Sequence, residues 1–212
     1  MKRILFIIQE YTQGGITKCL ENLLGFFPQT NYEIFIYSLY EDGENYYKKV
    51  FADRIVKKSL PYYLLHDNVY TRKVMGAYNK LTHRYNFDFL YKHEAAYLQR
   101  KYNFDVVVAY HEGMTVEFAS YFTNAKKITW FHCDPKVLGK SMIETYHSYY
   151  EMMDIVVGVS SVVKESFLEL MPHFSSEVKV IHNFLDTKFI WKKSNERVVD
   201  GLQKNANIFS II

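Results

Sequence analysis

The chain has 212 residues, 49% of them hydrophobic and 17% aromatic, with a net charge of +3. That length holds one ordinary domain and a little more, with enough apolar material for a sizeable core. The mild charge does not point to nucleic acid, the two cysteines stand at no metal-ligand spacing, and no apolar run approaches a membrane span. Cys19 and Cys133 read as free thiols of a reducing cytosol, and the absence of a leader-like start predicts a cytoplasmic protein. The aromatic content suits a tyrosine-rich interior and a sugar-stacking surface equally well.

Residues 4–8 form an apolar run long enough for one buried strand, and a polar loop follows to Gly15. Ile16, Cys19, Leu20, Leu23, Leu24 and Phe27 then fall on one helical face, and Pro28 ends the helix. The glycine pair Gly14 and Gly15 sits at the helix N-terminus, where free N–H groups and the helix dipole favour an anion. The same pair also serves as a plain tight turn. A dinucleotide fingerprint fails here, because Ile16 and Cys19 stand where it needs glycines.

Residues 33–40 read as a second strand, 46–52 as a short helix and 54–60 as a third strand closed by Pro61. Two helices follow. In the first, Tyr70, Val74, Ala77, Tyr78, Leu81 and Tyr85 share a face opposite Arg72, Lys73, Lys80 and Arg84. A basic amphipathic helix of this kind suits an anionic membrane surface, or packs on the sheet with its basic side in solvent. The second helix covers residues 88–101.

Residues 105–110 are the clearest buried strand, with His111, Glu112 and Gly113 as its exit loop. A helix to about Phe122 comes next, then a strand over 127–131 leaving through His132, Cys133, Asp134 and Pro135. A helix over 138–153, a strand over 155–159, a serine-capped helix over 162–171 and a short strand over 178–181 complete the alternation. It predicts an α/β chain: a Rossmann-like, doubly wound, mainly parallel sheet with helices on both faces. Ligands of such sheets bind beyond the carboxyl ends of the strands, where these polar loops fall. No serine or cysteine has a convincing base and orienting partner, so hydrolase chemistry is unsupported.

Five segments carry a family likeness in order: KRILFII with the loop bearing Gly14 and Gly15, DVVVAYHEG, KKITWFHCD, DIVVGVSSVVKESF and KVIHNFLD. Together they resemble the N-terminal, acceptor-side domain of a family-four glycosyltransferase with the GT-B fold, of the kind that builds bacterial surface polysaccharides such as capsule. Residues 31–103 carry little of the likeness. The resemblance implies a retaining hexosyltransferase-type enzyme that needs no metal or cofactor. It would move a sugar from a nucleotide-sugar donor to a saccharide or lipid-linked acceptor. It assigns Gly14 and Gly15 to the loop nearest the donor phosphates and His132 to the reacting sugar. Glu112, Gly113 and Asp134 fall on the acceptor side, and Asn183 and Asp186 at the domain junction.

The expected organisation is therefore a Rossmann-like domain over 1–186, a linker or peripheral helix over 187–205, and over 206–212 the first strand of a donor-binding domain that this sequence lacks. Such a chain would be inactive alone, with the basic helix as its peripheral contact on the inner face of the plasma membrane. The competing expectation is a non-catalytic Rossmann-like binding module that docks on a partner subunit or a membrane.

Overall fold

The computed structural model describes residues 1–12, 14–28, 30–40, 46–67, 73, 88–174 and 176–196. Six strands form one sheet: β1 (Lys2–Ile8), β2 (Tyr32–Ser38), β3 (Val106–Ala109), β4 (Lys126–Phe131), β5 (Ile155–Gly158) and β6 (Glu177–Val180). Their spatial order is β2-β1-β3-β4-β5-β6, and every pairing is parallel. Parallel strands need crossover helices, which cover both sheet faces and make central strands apolar on both sides. The central β1 shows this: Ile4 lies between Ile34 and Val106, and Phe6 between Ile36 and Val108.

The helices are α1 (Gly15–Phe26), α2 (Tyr46–Val50), α3 (Leu60–Tyr62), α4 (Asp88–Tyr102), α5 (Met114–Ser120), α6 (Lys140–Tyr150), α7 (Ser161–Leu170) and α8 (Thr187–Ser194). Alternate strand residues sort into two cores. Ile4, Phe6, Ile8, Val108, Tyr110, Trp130 and Val157 meet Leu20, Leu23 and Leu24 of α1, with Tyr47 and Phe51. On the opposite face, Leu5, Ile7, Val107, Ala109, Phe131 and Val156 meet residues of α4 through α7. The doubly wound arrangement expected from the alternation is thus observed.

The aromatic content goes chiefly into the interior. All of the largest fully buried side chains are Tyr or Phe. Phe118 stacks on Tyr37 with centroids 5.1 Å apart and takes Tyr91 and Phe122 edge-on. Such pairs contribute about 0.5–1.5 kcal/mol each beyond their area. The Tyr37 hydroxyl donates to the buried Glu94 carboxylate at 3.1 Å, and the Ser59 N–H reaches the same oxygen at 3.0 Å. One carboxylate thereby ties β2, α4 and the chain before α3.

Two expectations are corrected. The strand expected over 54–60 is only a single parallel bridge, Ile36 to Ile55, with a 3-10 turn at Ala52–Arg54 before it. Ser59 then caps α3 by accepting from the Tyr62 N–H, and Pro61 sits in that helix's first turn. Proline is pre-set for a helix start, so Pro61 opens an element where it was expected to close one. Residues 187–194, within the expected linker or peripheral helix, form the exposed α8. The strand expected over 206–212 lies outside the described residues, as does the amphipathic face from Tyr70 to Tyr85.

Candidate functional site

All six strands point the same way, so their exit loops share one rim. The chain leaves β1 toward β2 on one side and enters β3 on the other, which puts the topological switch point between β1 and β3. Side chains and helix ends converge on a crevice at such a point. The loop with Gly14 and Gly15 flanks it from β1, and His111, Glu112 and Gly113 flank it from β3.

Gly14 is the N-cap of α1, with extended backbone (φ −162°, ψ 168°) that any residue can adopt, and among the described residues no side chain caps this helix. A Cβ added at Gly14 or Gly15 meets nothing within 4 Å. The glycines are therefore required neither by a strained turn nor by packing among the described residues. What they provide is an exposed helix N-terminus that another group can approach closely.

Glu112 joins the β3 and β4 loops. One of its carboxylate oxygens accepts from the His132 N–H at 2.6 Å and from the Cys133 N–H at 3.3 Å. Burial and the adjacent Glu112 charge push the Cys133 thiol up to about 12, so it stays protonated and unreactive at neutral pH. Gly113 has φ +76°, a conformation glycine alone takes without strain, and its N–H donates to the Tyr150 hydroxyl at 3.3 Å. It is buried beside the Tyr146 ring and starts α5. Asp134 accepts from the Lys136 N–H at 2.9 Å and shapes its own turn.

The His132 ring packs edge-on to Tyr110, centroids 4.5 Å apart, and nearly parallel to Trp130 at 6.3 Å. Both its ring nitrogens are buried without a hydrogen-bond partner among the described residues. Burial, and secondarily the nearby His111, push it down to about 4. The Tyr110 carbonyl opposes this weakly, but no contact to it has hydrogen-bond geometry. Burial pushes His111 down to about 4 as well. Both imidazoles are neutral at pH 7, each with one donor and one acceptor nitrogen.

Ser160 caps α7 through the Val163 N–H at 3.3 Å, as its sequence position suggested. Asn183 and Asp186 are exposed. Asp186 caps α8 by accepting from the Phe189 N–H at 2.9 Å. Between them, the Phe184 carbonyl accepts from Asn22 of α1, so this stretch lies across α1 above a groove of about 660 Å³. Of the basic membrane set, Lys73 is helical and exposed, whereas Arg72, Lys80 and Arg84 lie outside the described residues. Among the described residues no helix is long and apolar enough to cross a membrane, and no three metal-ligating side chains gather.

Three features escaped the sequence reading. A groove of about 440 Å³ opens at the end of β2, lined by Tyr11, Tyr40, Lys48, Lys57, Lys58 and Tyr63 among others. Its lining comes from four separated segments, and only the Lys57-Lys58 pair was a local sign of it. Half-buried Glu117 of α5, facing the Asp88 charge, is pushed up to about 7, chiefly by desolvation. His111 is a half-buried imidazole at the switch point with its Nδ1 enclosed, although a loop histidine ordinarily reads as solvated.

The comparisons agree with this geometry. A family profile described as Glycosyltransferase Family 4 matches residues 13–189. No curated protein sequence matches at a significant level. Among solved structures, Anabaena Alr3699/HepE in complex with UDP and glucose has a TM-score of 0.57 at 13% identity, covering 86% of this chain and 45% of that one. Sucrose-phosphate synthase (tll1590) from Thermosynechococcus elongatus follows at 0.53 and 11%, covering 86% and 48%. UDP-N-acetylglucosamine 2-epimerase from Rickettsia bellii gives 0.51 and 12%, covering 92% and 49%. At these identities the likeness is one of fold, and the chain spans about half the length of each structure. With most of its length inside the family match and its strand ends arranged as such a fold requires, the chain belongs to glycosyltransferase family 4.

Proposed function

We propose that this chain is the acceptor-binding half of a retaining, hexosyltransferase-type glycosyltransferase acting in bacterial surface polysaccharide synthesis. A sugar passes from a nucleotide-sugar donor to a saccharide or lipid-linked acceptor at the cytoplasmic face of the membrane. The observation that carries the reading is the switch-point crevice of a family-4 chain, flanked by an open helix N-terminus on one side and neutral imidazoles on the other. The first favours phosphate and the second favours sugar hydroxyls. A structure of similar fold holds UDP-glucose, which supports a nucleotide-sugar donor.

In this reading residues 1–186 are the acceptor domain, 187–205 its peripheral connection, and 206–212 the first strand of a donor-binding domain. Gly14 and Gly15 approach the donor phosphates. His132 acts at the reacting sugar. Glu112, Gly113 and Asp134 shape the acceptor side, with Glu112 holding the His132 loop. Asn183 and Asp186 mark the junction, where α8 begins. Only groups whose interactions strengthen in the transition state accelerate transfer, and the phosphate side of the cleft is supplied by the second domain.

The test incubates the purified chain with a panel of nucleotide sugars and lipid-linked saccharides. Saturable acceptor binding without sugar transfer is expected. Robust turnover by the chain alone overturns the half-enzyme reading, and failure to bind any saccharide overturns the acceptor role.

A further inference from the structure

Seven buried side-chain nitrogen or oxygen atoms lack a hydrogen-bond partner among the described residues. Five of them belong to the ends of β3 and β4: His111 Nδ1, Thr129 Oγ1, Trp130 Nε1, and His132 Nδ1 and Nε2. Thr129 and Trp130 are consecutive in β4 and point to opposite faces of the sheet, so the atoms that gather on the Trp130 face at the strand exits are those of Trp130 and the two histidines. Buried polar atoms are ordinarily paired, and such a group marks side chains that meet their partners in a ligand or in ordered water. The spot adjoins the switch-point crevice. Glu112 and Thr115 hold the two loops that carry the imidazoles: Glu112 grips the His132 backbone, and the Thr115 hydroxyl donates to the His111 carbonyl. The rings are therefore fixed by their backbones, while His111 Nδ1 and both nitrogens of His132 have no hydrogen-bond partner among the described residues.

From this juxtaposition, and resting on the acceptor-binding reading above, we propose that His111 is a second sugar-reading residue. It acts beside His132, and the pair binds adjacent hydroxyl groups of an uncharged sugar ring where the acceptor meets the reacting sugar. Two neutral imidazoles present two donors and two acceptors. A vicinal diol offers the same complement, each hydroxyl donating once and accepting once. A phosphate or carboxylate is poorly served, because it only accepts and would need protonated rings. Burial works against that protonation at both positions. His111 stands two residues beyond Ala109, the last β3 partner of β1, at the end of the sheet where parallel sheets take their ligands. The pairing gives the site a preference for neutral sugar rings over anionic ones.

The test is NMR on the 212-residue chain with labelled histidines, eight in number. Methyl glycosides of glucose, galactose, mannose, rhamnose and N-acetylglucosamine are each titrated to about 100 mM, with glucuronate and inorganic phosphate as anionic controls. The expected result is a saturable shift of the His111 and His132 ring signals together, produced by at least one neutral glycoside and not by the anions. His111→Phe should weaken binding at least fivefold while leaving the remaining spectrum in place, and His111→Gln, which keeps a donor and an acceptor, should recover most of it. If glycosides move other residues but neither imidazole, the assignment fails and the acceptor-binding reading stands. If His111→Phe and His111→Gln bind like the parent chain, His111 is not a sugar contact. If the chain responds to no glycoside and to no lipid-linked saccharide, this inference and the acceptor reading fall together.

Discussion

Acidification from pH 7 to pH 5 destabilises this fold through His111 and His132. Each imidazole has an ordinary value of 6.5 and is pushed down to about 4 in the native chain, chiefly by burial. The unfolded chain therefore takes up protons that the native chain refuses. Stability is full above the unfolded value and falls as the pH drops from 6.5 toward 4. Linkage gives about 2 kcal/mol per histidine between pH 7 and pH 5. His111 is itself one cause of the low His132 value, so the two losses overlap and the pair amounts to about 3 kcal/mol.

Glu117 acts in the opposite sense. Its native value is raised to about 7 from an ordinary 4.5, so its protonation favours the native state as the pH falls through that window. Glu117 is partly exposed, and solvent screening reduces its effect to about 1 kcal/mol. The net loss for the parent chain is then about 2 kcal/mol, and Glu117→Gln, which removes the offset, loses about 3 kcal/mol over the same interval. Urea unfolding followed by circular dichroism at pH 7, 6 and 5 measures both. A stability that stays level in Glu117→Gln, or that falls no more steeply there than in the parent, refutes the reasoning.

Three further outcomes are expected. Gly158→Ala places a Cβ 3.0 Å from Val163 Cγ1 and 3.1 Å from the Lys164 nitrogen; α7 must shift from β5, and chemical unfolding should show a loss of about 1–3 kcal/mol. Glu112→Ala leaves the His132 and Cys133 N–H groups without their acceptor and should cost about 1–3 kcal/mol, most of it recovered in Glu112→Gln, whose amide oxygen accepts in the same place. If residues 69–85 touch an anionic leaflet, the chain should sediment with anionic vesicles at low salt and release at high salt. Changing Arg72, Lys73, Lys80 and Arg84 to glutamine should abolish that binding, each charge contributing about 1 kcal/mol; equal sedimentation of the quadruple variant assigns the contact elsewhere.

The strands and their rim were legible because buried parallel strands are short apolar runs with polar exits. Residues 105–113 show that pattern without interruption. Residues 54–60 misled because a few alternating residues fit a strand, while the decisive signal was the Ser59 cap with Pro61 two positions on. The two roles of Glu112 could not be separated in sequence. A glutamate beside a glycine looks the same whether it faces a ligand or grips the next loop. Only the β3–β4 register, with Val108 opposite Ile128, decides that it meets the His132 backbone. The half-buried state of His111 and the lysine-lined groove depend equally on contacts between distant segments.

The end of the sheet has a consequence for the chain before and after folding. Within the described residues β6 has a strand neighbour on one side only, and an unpaired strand edge is a template for intermolecular pairing. β6 is four residues long, and its Glu177 and Lys179 are exposed and joined in an ion pair at 3.2 Å. A second copy adding itself there in parallel register would align like charges, Glu177 on Glu177 and Lys179 on Lys179. The short, charged rim strand thus acts as a gatekeeper against fibrillar stacking, in a chain whose slow-forming parallel core otherwise exposes long apolar runs while it assembles.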